Sequence, residues 1–102
     1  MKSHARVVII GGGAVGVSTL YHLAKKGWSD VVLIERKELT SGSTWHAAGL
    51  LPLFNMSYSV GQIHKYSVNL YRGLQEETGL NPGLSQVSNI RLATHEDRMD
   101  EY

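Results

Sequence analysis

Val7-Val-Ile-Ile-Gly-Gly-Gly-Ala-Val-Gly16 is the stretch that decides the fold. It opens with four apolar, β-branched residues, a run typical of a strand buried on both faces of a parallel sheet. Gly11, Gly13 and Gly16 follow at once, and a helical pattern begins at Ala14. In this order the first glycine makes a tight turn, the second admits a pyrophosphate and the third lets helix and strand pack closely. The stretch therefore predicts a dinucleotide-binding βαβ unit, with phosphates at the helix N-terminus.

The composition is that of a globular protein. The chain has 102 residues, a formal charge of +1 and 42% hydrophobic residues, enough for one small domain or part of a larger one. The near-neutral charge gives no reason to expect a nucleic acid as partner. The chain has no cysteine, which removes disulfides, thiolate metal sites and a cysteine nucleophile.

Nothing in the sequence predicts a membrane partner, because no apolar run approaches the length of a membrane span. The segment before the first strand, Met1 to Arg6, is too short for a signal or transit peptide. We therefore expect a cytoplasmic protein, or a mitochondrial matrix protein if the chain is eukaryotic and its transit peptide has been removed.

The first half of the chain completes the βαβ pattern. Arg6–Ile10 is the first predicted strand and Val31–Ile34 is the second, also of the fully buried type. The helix between them is predicted from Ala14 to Lys26, and Gly27 is a natural residue to end it. The predicted face toward the sheet comprises Ala14, Val17, Tyr21 and Ala24.

Glu35 directly follows the second strand, about twenty residues past the last glycine, where a ribose-binding acid is expected. A carboxylate there accepts hydrogen bonds from the ribose hydroxyls and repels a 2′-phosphate. This favours FAD or NAD over NADP, although Arg36 next to it weakens the case against NADP. The alternative is a solvated charge at a strand end.

Residues 37–49 are rich in hydroxyls and small side chains. Ser41, Ser43 and Thr44 surround Gly42 and can offer hydroxyl and backbone N–H donors to a phosphate. The small residues 47–49 would let the backbone lie close to a flat ring. The alternative is an ordinary loop running into a short helix.

Thr40-Ser-Gly-Ser-Thr-Trp-His-Ala-Ala-Gly49, preceded by Glu35-Arg36, closely resembles the dimethylglycine and sarcosine dehydrogenase family. That family belongs to the D-amino-acid-oxidase-like FAD oxidoreductases. The glycine motif is common to many proteins, whereas the Ser-Thr-Trp-His-Ala-Ala-Gly string is far more specific. The resemblance continues through residues 63–64, 76–79 and 90–94, and so covers nearly the whole chain.

The resemblance implies that His46 carries the flavin covalently through the 8α-methyl carbon. A neutral imidazole is a reasonable nucleophile for such a bond, and a loop histidine with a structural hydrogen bond is the alternative. No residue is assigned as general base. The implied cofactor-binding residues are Gly11, Gly13, Ala14, Val15, Gly16, Glu35, Arg36, Ser43, Thr44, His46, Ala48, Gly49 and Leu50.

The family's activity implies FAD-dependent oxidative demethylation of a small N-methylated amino acid, dimethylglycine or sarcosine. Hydride transfer from the N-methyl carbon to flavin N5 gives an iminium, which is hydrolysed to formaldehyde or captured by tetrahydrofolate. The electron acceptor is an electron-transfer flavoprotein or oxygen. Two alternatives stay open: a glycine-oxidase-like enzyme with noncovalent FAD, and a non-catalytic homologue resembling the regulatory subunit of pyruvate dehydrogenase phosphatase. The latter's pattern lacks the histidine, so His46 favours the enzyme.

The second half of the chain predicts one long helix and shorter elements. The helix runs from about Val60 to Thr78, ends at Gly79, and buries Ile63, Tyr66, Leu70 and Leu74. A polar stretch, Asn55–Ser59, leads into it. The other predicted elements are a packed loop over Leu50–Phe54, a turn at Asn81-Pro82-Gly83, a strand over Val87–Ala93 and a helix beginning at His95.

The predicted fold class is α/β, a Rossmann-like FAD-binding βαβ unit with parallel strands that is incomplete at the C-terminus. A complete FAD domain needs more strands than this sequence supplies, and the family's enzymes are several times longer. We therefore expect residues 1–102 to be the N-terminal part of a larger FAD-binding oxidoreductase domain, with any substrate or folate domain outside it.

Overall fold

A computed structural model of the chain describes residues 3–55 and 57–102. They form two compact units, one ending at Gly49 and one beginning at Leu50. The elements are β1 (Val7–Ile10), α1 (Ala14–Lys25), β2 (Val31–Ile34), α2 (Tyr58–Thr78) and α3 (Glu96–Asp100).

The first unit is a βαβ unit, as predicted. β1 and β2 pair in parallel, with Val7 opposite Val31 and Ile10 opposite Ile34, and α1 connects them. Val7 and Ile9 are half-buried, whereas the alternate residues Val8 and Ile10 are exposed. The pattern predicted strands buried on both faces, but the described residues cover only one face of this two-stranded sheet.

α1 begins after Gly13 and ends one residue earlier than predicted. Its half-buried positions include Gly16, Leu20 and Leu23, spaced four and three apart on one helical face. The predicted face was wrong at Ala14, Val17 and Ala24, which are exposed, and only Tyr21 of that set is half-buried. The face that is covered contains Gly16, the residue at which the helix approaches the strand most closely.

The second unit is built around α2, which begins two residues before the predicted start. The side chain of Ser57 caps it by accepting a hydrogen bond from the amide of Val60 at 3.5 Å. Gly79 ends it in the left-handed conformation, with φ of 73°. The predicted lead-in, Asn55–Ser59, includes Met56, which lies outside the described residues.

The covered face of α2 differs from the predicted one. Val68 is buried, whereas Ile63 and Tyr66 are 63% and 56% exposed. The imidazole of His64 donates a hydrogen bond from Nδ1 to the carbonyl oxygen of Pro52 at 2.6 Å. The segment before the helix therefore lies on the face that carries His64 and Val68. Of the predicted stripe, Leu70 and Leu74 are half-buried.

The predicted loop over Leu50–Phe54 is non-helical, and only part of it packs. Leu51 and Pro52 are half-buried, while Leu50 and Leu53 are 78% and 54% exposed.

The strand predicted over Val87–Ala93 is wrong, because these residues form no regular element. Ile90 and Leu92 are 85% and 82% exposed. A strand requires a partner for its backbone hydrogen bonds, and the described residues supply none here. The segment is held instead by Arg91, whose guanidinium lies 4.5 Å from the Phe54 ring centroid and donates to the Phe54 carbonyl at 3.3 Å.

α3 lies within the predicted helical region near the end of the chain. No helix in the described part of the chain is long and apolar enough to cross a membrane.

Candidate functional site

The glycine loop joins β1 to α1. The Gly11 amide donates to the Ile34 carbonyl at 2.8 Å and so extends the sheet pairing by one residue. Gly11 has φ of 105°, a conformation that favours glycine. Gly13 is extended and its carbonyl accepts the first helical hydrogen bond, from Val17 at 2.9 Å. The loop therefore turns the chain sharply from strand into helix.

Gly16 sets how closely α1 lies against β1. A Cβ atom built on Gly16 would overlap the Gly11 carbonyl oxygen and would lie 3.4 Å from Cγ2 of Ile9. This is the close approach that the third glycine of the motif provides.

Gly12, which is not one of the three motif glycines, is the buried residue of the loop. Its amide donates to Oε2 of Glu35 at 2.7 Å and its carbonyl accepts from the Thr40 amide at 3.0 Å. A Cβ here would collide with Cδ2 of Leu39. The unbroken run of three glycines was the only signal for Gly12. Thr40 begins the string that carries the family resemblance but was given no role, and nothing in the sequence pointed to Leu39.

Glu35 lies at the end of β2 with its carboxylate against the glycine loop. Besides the Gly12 amide, it accepts from the Lys37 amide, through Oε1 at 2.9 Å. These two amides, with a lesser contribution from the amide and charge of Arg36, lower the pKa of Glu35 and outweigh the opposing effect of burial. The carboxylate is therefore ionised at neutral pH. The Arg36 side chain is exposed and forms no hydrogen bond within the described residues.

Residues 40–47 wind into consecutive turns, which we call the histidine turn. The amides of Trp45, His46 and Ala47 donate to carbonyls three residues earlier, at 3.1, 3.2 and 3.3 Å. The turn reaches the glycine loop through the Thr44 side chain, whose Oγ1 accepts from the Ala14 amide at 2.9 Å. Thr44 therefore lies at the N-terminus of α1.

His46 is exposed on the histidine turn. Its Nδ1 lies 2.9 Å from the carbonyl oxygen of Gly42. A carbonyl can only accept, so Nδ1 carries the hydrogen, and in the neutral imidazole Nε2 holds the lone pair. The exposed Nε2 is the atom that can act as nucleophile or ligand.

The remaining predicted site residues are not joined to the glycine loop by any hydrogen bond among the described residues. Ser43 contributes its carbonyl to the turn. Ala48 and Leu50 are exposed, and Gly49 has φ of 69°.

The donor set at α1 fits a phosphate-containing group. Within the described residues, the first-turn amides of Val15 and Gly16 have no acceptor, and Val15 is 81% exposed. Such amides, with the helix dipole, bind anions. Gly12 and Gly16 have no Cβ, and this allows the loop to be tight enough to leave the Val15 and Gly16 amides available to such a group. No group of three potential metal-ligating side chains occurs in the part that the structure describes.

Comparison with known families matches residues 6–102 to the family described as FAD dependent oxidoreductase. The chain belongs to this family of FAD-dependent oxidoreductases. It is 55% identical over 101 residues to mitochondrial dimethylglycine dehydrogenase of Rattus norvegicus, covering 99% of this chain and 12% of that protein. It is 47% identical over 103 residues to mitochondrial sarcosine dehydrogenase of Homo sapiens, covering 100% of this chain and 11% of that protein.

A third relative is named as a regulatory protein. The mitochondrial regulatory subunit of pyruvate dehydrogenase phosphatase from Mus musculus is 41% identical over 99 residues, or 97% of this chain and 11% of that protein. The chain thus spans about an eighth of the length of these relatives.

Proposed function

We propose that residues 1–102 are the N-terminal part of a longer FAD-binding oxidoreductase, called here the parent protein. The short coverage of each relative supports this, as does the two-stranded sheet with one uncovered face. The experiments below use the parent protein unless they name the 102-residue chain.

The glycine loop and Glu35 hold the adenosine diphosphate half of FAD. Gly11 and Gly13 shape the loop, and Gly16 brings α1 close behind it. The free amides of Val15 and Gly16 suit the pyrophosphate, and the ionised Glu35 suits the ribose hydroxyls. We assign Ser43, Ala48, Gly49 and Leu50 to the surroundings of the pyrophosphate or the ring, on the resemblance alone.

His46 carries the flavin through a bond from Nε2 to the 8α-methyl carbon. Support comes from the Nδ1–H bond to Gly42, which fixes the tautomer and leaves the Nε2 lone pair exposed. A covalent bond would keep the ring in the site independently of the noncovalent affinity for FAD.

The parent protein oxidises a small N-methylated amino acid, dimethylglycine or sarcosine. The single observation that carries this substrate class is the 55% identity with a dimethylglycine dehydrogenase over nearly the whole chain. When bound, FAD would accept the hydride at N5 from the N-methyl carbon. The described residues bind and orient FAD, and the residues that bind the amine lie in another part of the parent protein.

Three further assignments complete the proposal, the first two on the family resemblance alone. The electron acceptor is an electron-transfer flavoprotein or oxygen. Tetrahydrofolate, if used, binds in a part of the parent protein outside this chain. The relatives named as mitochondrial support a mitochondrial matrix location.

Substrate oxidation by the purified parent protein tests this proposal. Dye reduction and formaldehyde are measured with dimethylglycine, sarcosine and glycine. We expect one formaldehyde per N-methyl group oxidised in the absence of folate, and no turnover of glycine. Oxidation of glycine with a kcat/KM comparable to that of sarcosine would instead favour the glycine-oxidase-like alternative.

A regulatory role is the second candidate, because a regulatory subunit is 41% identical to this chain. A parent protein that folds but contains no flavin and oxidises none of these amines would favour it.

A further inference from the structure

Thr44 links the histidine turn to the glycine loop. Its half-buried side chain lies two residues before His46, and its hydroxyl accepts a hydrogen bond from the Ala14 amide at 2.9 Å. A Cβ on Gly13 would lie only 2.8 Å from the same oxygen. The hydroxyl therefore fits into space that the second glycine of the motif leaves free.

A second contact fastens the same turn. The Thr40 amide donates to the Gly12 carbonyl at 3.0 Å, and the Thr40 carbonyl accepts from the Trp45 amide at 3.1 Å. Thr40 has φ of 68°, an unfavourable conformation for a β-branched residue that persists only when its surroundings hold it. The histidine turn is thus fixed to the glycine loop at its first residue, Thr40, and near its middle, at Thr44.

We propose that Thr44 is a positioning residue for covalent flavin attachment. Through the Ala14 amide, its hydroxyl fixes the location of His46 Nε2 relative to the nucleotide bound by the glycine loop. The proposal rests on the proposed function, in which His46 forms the bond. It predicts that the Thr44 hydroxyl determines how fast the bond forms and contributes little to noncovalent FAD affinity.

The backbone amides at the N-terminus of α1 explain why we expect little change in noncovalent FAD affinity. Thr44 occupies only the Ala14 amide, and the Val15 and Gly16 amides remain available to phosphate oxygens. Removing the hydroxyl frees the Ala14 amide at the helix N-terminus and takes away none of the backbone amides. A residue that bound phosphate directly would show the opposite behaviour.

Bond formation, in contrast, depends on distance. The Nε2 lone pair would form the bond to the 8α carbon, while one C–H bond of the 8α-methyl group breaks and the imidazole gives up its Nδ1 proton. The electron pair of the broken C–H bond would reduce the flavin, and the two protons would go to the reduced flavin or to solvent. Oxygen or an electron-transfer flavoprotein would then remove the two electrons. Such a step needs the reacting atoms about 3–3.5 Å apart, and a misplacement of about 1 Å can cost about 100-fold in rate. A loosened histidine turn should therefore slow attachment.

The test compares Thr44→Val, Thr44→Ser and a matched control, Thr19→Val. Thr19 lies on α1 and its hydroxyl donates to the Val15 carbonyl within the helix at 2.8 Å, so the control makes the same chemical change away from the turn. Flavin-free parent protein of each variant is mixed with FAD in air, and acid-precipitable flavin is followed with time. The dissociation constant of FAD is measured separately for each variant in a His46→Ala background.

We expect Thr44→Val to attach flavin at least tenfold more slowly, while its dissociation constant for FAD changes less than about threefold. Thr44→Ser should restore the rate, and Thr19→Val should match the wild type. Unchanged attachment in Thr44→Val would overturn the positioning role. A dissociation constant that rises in proportion to the loss of rate would make Thr44 a phosphate ligand or a folding residue instead. Wild-type flavin that washes off in acid would overturn the covalent link itself, and this proposal with it.

Discussion

At the scale of single residues, the site depends on how neighbouring segments share the amides of the glycine loop. Glu35 takes the Gly12 amide and Thr44 takes the Ala14 amide. One contact brings the strand end to the loop, and the other brings the histidine turn. The two proposed FAD contacts of greatest chemical consequence, Glu35 and His46, are therefore arranged around one short stretch of backbone.

Replacing Glu35 should weaken FAD binding. We expect Glu35→Ala, in a His46→Ala background that removes any covalent tether, to raise the dissociation constant at least about tenfold by loss of charge-assisted hydrogen bonds. Because neighbouring donors lower the pKa of Glu35, the effect should be constant from about pH 6 to 8. Titration of the flavin-free variant by fluorescence gives the constant.

Glu38→Ala is the matched control, because Glu38 is exposed and, among the residues described, its only hydrogen bonds are through the backbone carbonyl, which accepts from Ser41. It should change the dissociation constant less than about twofold. Equal constants for the two variants would remove Glu35 from the nucleotide site.

At the scale of elements, local patterns predicted what local interactions decide. Both strands of the βαβ unit, both long helices and the left-handed end at Gly79 follow from residues within each segment. The prediction of a strand over Val87–Ala93 was wrong because an alternation of apolar residues cannot supply a pairing partner. The predicted covered face of α2 was wrong because the segment before the helix, whose Pro52 carbonyl accepts a hydrogen bond from His64, covers another side.

The candidate site likewise contains residues that the sequence predicted and residues whose contacts only the folded chain reveals. Glu35 was predicted from spacing, and His46 from resemblance to a family string. Gly12, Leu39 and Thr40 were missed because their roles arise only when the segment after β2 folds back onto the glycine loop. No periodicity within that segment encodes such an approach.

Two of the helical glycines, Gly16 and Gly73, provide a prediction at this scale. A Cβ at Gly16 would overlap the Gly11 carbonyl, whereas a Cβ at Gly73 on α2 would meet nothing within 4 Å. Gly16→Ala should push α1 from β1 and lower the free energy of unfolding by about 1–3 kcal/mol. Gly73→Ala should raise it by about 0.5–1 kcal/mol, because alanine favours a helix.

Urea unfolding of the flavin-free parent protein, followed by circular dichroism, measures both changes. Stabilisation by Gly16→Ala would mean that helix and strand do not approach as closely as the structure has them.

At the scale of the whole molecule, the chain buries very little. Val68 is the one buried hydrophobic residue among those described, at 6% exposure. Ile10, at the end of β1, is 87% exposed. Exposed apolar strand residues and an open sheet edge favour pairing with other chains.

The 102-residue chain expressed alone should therefore be unstable or aggregated and should turn over no amine. Thermal unfolding followed by circular dichroism, with the oligomeric state from analytical ultracentrifugation, checks this. A soluble monomer with a single cooperative transition would show that these residues form an independent domain.

Acid denaturation of the parent protein, followed by mass spectrometry, tests most directly the claim that this chain carries the flavin on His46. The wild-type pellet should remain yellow, and a flavin adduct should be found on the peptide that contains His46. His46→Ala should release all of its flavin in acid while still binding FAD when folded. Wild-type flavin released completely by acid, or an adduct on any other residue, would contradict the account.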